Sequence, residues 1–358
     1  MRLSLDLVLA PGILFAPQAP IASREHRTCP PLPAGDLTLR QYQLYPANLI
    51  WDQKRCVAYV SDLYNATLSI FDPYQSKILD VISFPGLSHP GESVENQLHA
   101  SGLVLRPYSD TLEILIDNGA AFSSFGNNVS GPDYLFTMDL NTKQLLSQTN
   151  LTVATQGLYG GYSDTVAADD GNTYVVGVYT SNILRVTPSG DVSTFYVQEP
   201  VDPPRKYGYT GLALVGNSLI ADDNVAGQLV KFDVRASQGT PVVIPQTPYH
   251  NFTTAYIMTL PDRYNNTILL VAENFAGTQY PWGGVAVWRS KDTQWDSAEY
   301  LGFIPSRVAK SFASSPRQMT DRIYLVAVYV DGPTIYFAGN TTDFIVQDIT
   351  DAVDALVQ

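Results

Sequence analysis

Acidic, amide and tyrosine side chains recur in this chain of 358 residues where short apolar runs end. These polar ends are Asp62, Asp117, Tyr179, Asp222, Glu273 and Tyr329. Carboxylate and amide oxygens bind divalent cations, so three or four of them could hold one if they converged. Asp and Asn also close β-turns and cap hairpins without any ligand. The four histidines are scattered, which argues against a zinc cluster, and we predict no metal site.

The candidate functional side chains fall at these run ends and in the loops that lead to the next run, where they are expected to meet at one opening. The candidate catalytic residues are His99, Asp222 and Tyr162. The candidate substrate-binding residues are Tyr179, Tyr207, Tyr209, Trp282, Tyr329, Asn118, Asn224 and Asn274. The chain contains 22 Tyr, 14 Phe and 4 Trp. Aromatic side chains combine apolar faces with hydroxyl donors, so we predict a pocket for a flat, partly hydrophobic small molecule.

Other common reaction types lack their sequence patterns. No Gly-x-Ser-x-Gly occurs, and no glycine-rich phosphate loop leads from a strand into a helix. We therefore expect neither a serine hydrolase triad nor a nucleotide-dependent enzyme, and we predict no cofactor.

The elements that must position these residues are clearest between Tyr207 and Asp233. Three apolar runs lie there, Leu212–Val215, Ser218–Ala221 and Gln228–Phe232, and the turn Gly216-Asn217 separates the first two. Alternating apolar residues joined by two-residue turns are typical of antiparallel hairpins.

This unit recurs along the chain, because the polar ends are about 43 to 62 residues apart. Short strands repeated at this period indicate a propeller rather than a sandwich. We predict an all-β fold, a six-bladed β-propeller, with five blades as the alternative if the last copy is only a closing half-blade. Leu37–Leu44 is predicted to complete the final blade, and Thr350–Gln358 to form a short helix.

Composition limits the partners and the compartment. Lys+Arg 21 against Asp+Glu 34 gives a net charge of −13, which disfavours nucleic acid and anionic lipid as partners. Residues 1–22 resemble a signal peptide, with Arg2 before an apolar run, although a buried N-terminal strand is the alternative. No later run is long enough to span a bilayer. We predict one propeller domain, residues 23–358 with an N-terminal arm, in the secretory pathway or outside the cell.

Two further features favour the secretory prediction. Cys29 and Cys56 are the only cysteines, and in an oxidising compartment they would form one disulfide between the arm and the first blade. Two free buried thiols are the alternative. Six Asn-x-Ser/Thr sequons are candidate glycosylation sites. They are Asn65, Asn128, Asn150, Asn251, Asn265 and Asn340.

Several motifs resemble a fungal family of secreted propeller proteins from secondary-metabolite gene clusters. They are Tyr45–Asp52, Arg55-Cys56, Tyr64–Thr67, Phe71–Tyr74, His99–Gly102 and Gly160–Asp164. The similarity extends from about Cys29 to the end of the chain. One branch of the family resembles a trichothecene-cluster protein of undefined role, and another comprises the hetero-Diels–Alderases of tropolone-sesquiterpenoid pathways.

The second branch implies a cofactor-independent pericyclase. A hydroxymethyl tropolone or related polyketide loses water to give an ortho-quinone methide, which adds to an alkene of a humulene-type terpene and forms a dihydropyran ring. His99 and Asp222 would then assist the loss of hydroxide or hold the tropolone oxygens, and the tyrosines would form walls. The alternatives are a metal-dependent, lactonase-like hydrolase of the six-bladed propeller type and a non-catalytic secreted binding protein.

Overall fold

The computed structural model describes residues 29–89, 98–201, 206–252, 254–275, 282–332 and 337–358. The predicted signal peptide lies outside these ranges. In the described residues the strands form six small, mainly antiparallel sheets. The six-bladed propeller is therefore confirmed, and the five-bladed alternative is wrong.

The first half of the chain supplies one leading strand and three blades. The leading strand is β1 (Leu37–Arg40). Blade 1 contains β2 (Pro46–Asp52), β3 (Val57–Asp62), β4 (Thr67–Asp72) and β5 (Lys77–Ser83). Blade 2 contains β6 (Leu98–Leu105), β7 (Thr111–Asn118), β8 (Tyr134–Asp139) and β9 (Leu145–Asn150), with the short helix α1 (Ala120–Ser123) after β7. Blade 3 follows helix α2 (Thr152–Thr155) and contains β10 (Gly160–Ala167), β11 (Thr173–Tyr179), β12 (Asn182–Val186) and β13 (Val192–Val197).

The second half supplies the other three blades. Blade 4 contains β14 (Leu212–Val215), β15 (Ser218–Asp223), β16 (Gln228–Asp233) and β17 (Val242–Ile244). Blade 5 contains β18 (Gln246–Thr247), β19 (Ala255–Thr259), β20 (Ile268–Glu273), β21 (Gly284–Arg289) and β22 (Ala298–Pro305), with a 3-10 turn at Asp262–Tyr264. Blade 6 contains β23 (Ser311–Met319), β24 (Arg322–Tyr329) and β25 (Asp343–Asp348), and helix α3 (Thr350–Val357) follows it.

Adjacent blades bury their apolar faces against one another. Tyr59 and Leu68 of blade 1, for example, share one buried cluster with Ala100, Ile114 and Phe136 of blade 2. Fully burying a large apolar side chain stabilises a fold by roughly 1.5–3 kcal/mol. A single four-stranded sheet cannot bury both of its faces, so the ring itself is the stabilising arrangement.

The ring is closed by the N-terminal strand. β1 pairs with β25 as the outermost strand of blade 6, with Leu37 opposite Val346. This confirms the predicted closing role of the segment, although the strand ends at Arg40. A disulfide joins Cys29 and Cys56, whose Cα atoms are 5.5 Å apart, and ties the arm to blade 1 as predicted. Helix α3 confirms the predicted C-terminal helix, and none of the helices in the described ranges has the length and apolar character to cross a bilayer.

The innermost strands β2, β6, β10, β14, β19 and β23 surround the axis and contact one another in that order. Five of these strands, all except β14, contain one extra residue relative to the neighbouring strand. Such β-bulges bend a strand and change the direction of its side chains. In blade 6, for example, Ala313 pairs with Ala327 and Ser315 with Val326, which leaves Ser314 unpaired.

The propeller has two distinct faces. We call the face where the second strand of each blade ends the mouth face. We call the face with the hairpins between the first and second strands the opposite face. The bulges of the innermost strands lie towards the mouth face.

Candidate functional site

A cavity of about 560 Å³ opens on the mouth face around the axis. Its apolar walls come mainly from Leu63, Phe122, Phe125, Phe275, Phe312, Ala313 and Val328. Its polar lining comes from Tyr64, His99, Ser101, Asp117, Tyr179, Tyr207, Thr254, Tyr256, Asn274 and Ser314. The volume falls within the roughly 300–1,000 Å³ typical of small-molecule pockets.

The bulges bring hydroxyl groups into this lining. Ser101, Tyr256 and Ser314 lie at the bulges of blades 2, 5 and 6, respectively. Ser314 also donates a hydrogen bond to the carbonyl oxygen of Ala47 in blade 1. The bulged backbone therefore links neighbouring blades and supplies polar groups to an otherwise aromatic cavity.

His99 lines the cavity as an uncharged imidazole. It lies on β6 directly opposite Asp117 on β7, and it is buried. Burial lowers the pKa of His99 to about 3, with a smaller contribution from His89. Its Nε2 atom has no hydrogen-bond partner, and a Cβ added at Gly119 would overlap the ring, so the glycine makes room for the imidazole.

Asp117 is the acidic group of the cavity. Ser101 Oγ donates a hydrogen bond to Asp117 Oδ1 at 2.6 Å, while Asp117 Oδ2 has no partner. Burial, and secondarily the nearby Asp133, raises the pKa of Asp117 well above its ordinary value. Burial therefore favours the protonated form of this carboxyl group. Our sequence analysis placed Asp117 at a polar strand end but did not select it for the site.

Asp222 occupies the corresponding strand end of blade 4 and does not line the cavity. Its carboxylate accepts hydrogen bonds from the backbone N–H groups of Thr210 and Gly211, both at 2.8 Å, and from the Thr210 hydroxyl. The same hydroxyl group lies 2.7 Å from the carbonyl oxygen of Ala255, so its single proton is shared between the two acceptors. Asp222 thus fixes the entry to blade 4 and its connection to blade 5.

Two of the candidate amides bridge neighbouring blades in the same way. Asn224 Oδ1 accepts a hydrogen bond from the N–H of Ala255 at 2.6 Å, and its Nδ2 donates to Gly208 O at 2.8 Å. Asn274 Oδ1 accepts from the N–H of Ala313 at 2.8 Å, and its Nδ2 donates to Ala313 O at 2.9 Å. Of the two, only Asn274 lines the cavity.

The structure divides the candidate aromatic residues. Tyr179 and Tyr207 line the cavity and pack edge to face, with ring centroids 6.0 Å apart. Tyr162 is buried between blades 2 and 3, and Tyr209 lies in the core of blades 3 and 4. Tyr329 packs against the cluster of blades 1 and 6, where its hydroxyl accepts a hydrogen bond from the N–H of Ile345 at 2.9 Å.

The remaining two candidates lie near the cavity without lining it. Asn118 is buried, and its Oδ1 accepts a hydrogen bond from the N–H of Ala120 at 3.1 Å, which positions the start of α1. Trp282 is half-buried in the loop between β20 and β21. Sequence reasoning also missed Tyr64 and Tyr256 as lining residues.

Beyond the cavity, a guanidinium group crosses the axis. Arg317 lies three residues beyond Ser314 on β23, further from the mouth. Its Nε donates to Asn48 Oδ1 at 2.9 Å, its Nη1 donates to Met258 O at 3.2 Å, and its Nη2 lies 3.6 Å from Asp164 Oδ1. Arg317 therefore joins blade 6 to blades 1, 5 and 3 and occupies the shaft beneath the cavity.

The carboxylates at the strand ends have separate partners rather than a common centre. Asp117 pairs with Ser101, Asp222 with Thr210, and Glu273 with His250 at 2.8 Å. Among the residues that the structure describes, no group of three His, Cys, Asp or Glu side chains is placed to hold a metal ion. The described residues therefore do not provide the group of metal ligands that a metal-dependent, lactonase-like hydrolase would need.

Five of the six candidate glycosylation sites are exposed. The exception is Asn65, which is half-buried and donates a hydrogen bond from Nδ2 to Gln43 O at 2.9 Å. A glycan at Asn65 would have to replace this hydrogen bond, so the other five positions are better acceptors.

The fold defines a six-bladed propeller with a cavity on its mouth face, and comparison with known proteins identifies its family. The protein-family model described as "Mal s 1 allergenic protein-like" matches residues 30–299, so the chain belongs to the Mala s 1-like family. The crystal structure of the major Malassezia sympodialis allergen Mala s 1 superposes with a TM-score of 0.73 at 20% identity, covering 87% of this chain and 95% of that one.

Two curated proteins are much more similar in sequence. "Trichothecene biosynthesis protein 14" of Trichoderma arundinaceum is 63% identical over 336 residues, 93% of this chain and 92% of that protein. "Core trichothecene cluster (CTC) protein 14" of Fusarium sporotrichioides is 56% identical over 333 residues, 92% of this chain and 88% of that protein. The predicted family of fungal secondary-metabolite cluster propellers is confirmed, and these relatives belong to its trichothecene-cluster branch.

Proposed function

We propose that this protein is a cofactor-independent ring-closing enzyme of fungal secondary metabolism. The observation that carries the proposal is the cavity of about 560 Å³, in which aromatic walls surround the buried imidazole of His99 and the buried carboxyl group of Asp117. A site of this kind suits a neutral, largely apolar substrate, because burying a charged substrate without a partner would be costly.

Confinement is the main source of catalysis in this proposal. Holding the reacting atoms in line can supply roughly 7–11 kcal/mol of the activation free energy. The cavity is well suited to this, because Arg317 occupies the shaft beneath it and aromatic side chains surround its mouth. Limited access of water would also protect a reactive intermediate from hydrolysis.

The specific reaction that we propose is the hetero-Diels–Alder cyclisation. Loss of water from a hydroxymethyl tropolone breaks its C–O bond and gives the quinone methide. This heterodiene and an alkene then form one C–C and one C–O bond, with no atoms lost. The relatives named for trichothecene biosynthesis make intermediates of that pathway the other substrate set to test.

The polar lining can assist the loss of water. Asp117 can protonate the leaving hydroxyl group from Oδ2, which has no hydrogen-bond partner, while Ser101 Oγ holds Asp117 Oδ1 at 2.6 Å. His99 Nε2 can accept a hydrogen bond from the ring hydroxyl group and orient it, and the proton that this group loses passes through water to Asp117 and restores the acid. Tyr179, Tyr207 and Asn274 would orient the substrate oxygens. Asp222, Tyr162, Tyr209, Tyr329, Trp282, Asn118 and Asn224 act indirectly in this proposal, by supporting the cavity.

The compartment is part of the same proposal. The Cys29–Cys56 disulfide favours an oxidising environment, as found in the secretory pathway. We therefore propose that the protein is secreted or lumenal and carries glycans at exposed sequons. Mass spectrometry of the protein from a fungal host, with and without glycosidase, tests both statements.

The test of the function is product formation by the purified protein. One reaction contains a quinone-methide precursor and humulene, and a second contains extracts of a trichothecene-producing strain that lacks the homologous gene. We expect a single stereoisomer of a ring-closed product in at least one reaction. If both match their protein-free controls, the ring-closing function is wrong and the non-catalytic binding protein is favoured. If only the second yields product, the hetero-Diels–Alder assignment is wrong and ring closure stands.

Two variants locate the reaction. Val328→Trp fills the cavity and should abolish product formation, whereas Val243→Trp, on the exposed outer strand β17, should leave it unchanged. If Val328→Trp does not fold, Tyr256→Phe is the second test of the cavity, because it removes only a hydroxyl group from the lining. A chelator should have no effect, and loss of activity on its addition would favour the metal-dependent hydrolase.

A further inference from the structure

Two phenylalanines mark the entrance of the cavity. Phe125 and Phe275 both line it, yet 65% and 55% of their respective surfaces are exposed to solvent. Phe125 follows α1 in blade 2, and Phe275 follows β20 in blade 5. Blades 2 and 5 are three positions apart in a ring of six, so the two phenylalanines belong to opposite sides of the mouth.

Each phenylalanine is supported by buried structure. Phe275 follows Asn274, whose amide makes two hydrogen bonds to the backbone of Ala313, and its ring packs edge to face on Phe312 at 5.6 Å between centroids. Phe125 donates a backbone hydrogen bond to Phe122 O at 3.0 Å. The Phe122 ring packs in turn on Tyr179 at 5.8 Å. The rims are therefore fixed from behind while their phenyl rings remain exposed.

Both residues adopt a left-handed backbone conformation, with φ of 51° for Phe125 and 54° for Phe275. A bulky residue pays conformational free energy for this conformation, which glycine adopts freely. Strain alone does not mark a site, because Tyr108 on the opposite face has φ of 58° and is 94% exposed. What distinguishes Phe125 and Phe275 is that they border the same cavity from opposed blades.

We propose that Phe125 and Phe275 form a two-sided aromatic clamp that recognises the apolar ring system of a neutral ligand at the cavity entrance. The clamp rests on the proposed function, in that it takes the cavity as a small-molecule site, and it adds the ligand class. Aromatic faces on two sides favour a flat ring system, which can contact both phenyl groups. The net charge of −13 disfavours anionic ligands of the same size.

Binding of the neutral dye Nile red to the full-length protein tests the clamp, followed by dye fluorescence. We expect Phe125→Ala and Phe275→Ala each to weaken binding about threefold, and the double variant about tenfold. Tyr108→Ala is the matched control, since it removes an equally strained and more exposed aromatic from the opposite face, and its affinity should be unchanged. If the double variant binds as tightly as the wild type, the clamp is wrong.

Glycine variants separate binding from folding. Phe125→Gly and Phe275→Gly should lose as much dye affinity as the alanine variants. They should melt at the same temperature as the alanine variants or at a higher one, because glycine relieves the strained φ. If affinity is lost only where the melting temperature falls, the phenyl rings support the fold and do not bind the ligand, and the clamp is wrong.

Two further outcomes separate the clamp from the proposed function. If ring closure occurs but the wild type does not bind Nile red, the clamp fails and the function stands. If dye binding depends on both phenylalanines but no ring closure is found, the clamp stands and the function fails. The anionic dye 8-anilinonaphthalene-1-sulfonate should bind at least tenfold more weakly than Nile red, and equal affinity would contradict the neutral ligand class.

Discussion

The two faces of this propeller use side chains in opposite ways. Large exposed apolar residues are frequent in the loops of the mouth face, namely Tyr42, Phe125, Val153, Leu158, Val225, Tyr249 and Phe275. The hairpins of the opposite face have fewer such residues, Tyr74 and Tyr108, and instead carry ion pairs within and between them. Examples are Lys54–Asp110, Arg55–Asp52, Arg235–Asp233, Arg263–Asp354 and Arg322–Asp348.

This difference indicates a division of labour along the axis. Exposed apolar surface weakens solubility and is retained where something binds, whereas solvated ion pairs are compatible with a surface that binds nothing. The shaft between the faces is closed by Arg317, which holds four blades together. Changes in the shaft and on the opposite face should therefore alter stability, and changes at the mouth should alter binding.

The largest effect is expected for Arg317→Met. Removing the guanidinium leaves Asp164 buried without its charged partner, which should cost about 3–5 kcal/mol in the free energy of unfolding. Urea denaturation measures this cost. Adding Asp164→Asn should recover part of it, and strict additivity of the two changes would contradict the coupling. Arg235→Met, which breaks an exposed ion pair, is the control and should leave the free energy of unfolding nearly unchanged.

Removal of the disulfide is expected to rank second. Cys29→Ser with Cys56→Ser releases the arm from blade 1 and should cost about 3 kcal/mol, because the unfolded chain gains conformational freedom. Nile red affinity at a temperature where the variant is folded should match that of the wild type. Weaker dye binding would show that the two faces are coupled.

The buried carboxyl groups Asp222 and Asp117 give the next prediction. Asp222→Asn keeps an oxygen for the N–H groups of Thr210 and Gly211, but it places an amide nitrogen where Oδ2 accepts hydrogen bonds from the Thr210 hydroxyl and the Asn224 amide. It should cost about 1–3 kcal/mol in unfolding free energy, with the rate per folded molecule unchanged. Asp117→Asn keeps an oxygen to accept the hydrogen bond from Ser101 and should change stability less, but it should slow ring closure at least about tenfold because an amide supplies no proton. Thermal melts and product assays of both variants test the contrast, and identical behaviour would remove it.

The smallest effect is a dependence of stability on pH. Burial raises the pKa of Asp62 to about 8, of Asp222 and Asp133 to about 7, and of Asp164 to about 6. A raised pKa means that the folded state binds more protons than the unfolded state, so this stabilisation is complete below about pH 4 and is lost as the pH rises to about 8.

The melting temperature should accordingly be higher at pH 5 than at pH 8. Asp62→Asn should reduce this dependence, because it removes a carboxyl group whose pKa burial raises to about 8. A melting temperature that rises from pH 5 to pH 8 would contradict the assignment of these carboxyl groups as protonated.

The sequence by itself determined the strands and their number of repeats. Alternating apolar residues and tight turns are local signals, so Leu212–Val215 was predicted with its observed bounds and the Ser218 and Gln228 strands with their observed starts. The role of the N-terminal strand followed from the need to complete the last blade. The outer strands of blades 1 to 5 were not predicted, because most of their side chains are exposed or half-buried and leave a weak apolar signal. They are β5, β9, β13, β17 and β22.

Only the tertiary structure decided which strand ends form the site. Asp117 and Asp222 have the same residue type and the same place in their blades, yet one lines the cavity and the other ties two blades together. The physical reason lies in the bulges of the innermost strands, where one extra residue changes the side of the strand on which every later side chain lies. Tyr256 reaches the cavity at such a bulge, and Tyr162, beside another, is buried in the core instead.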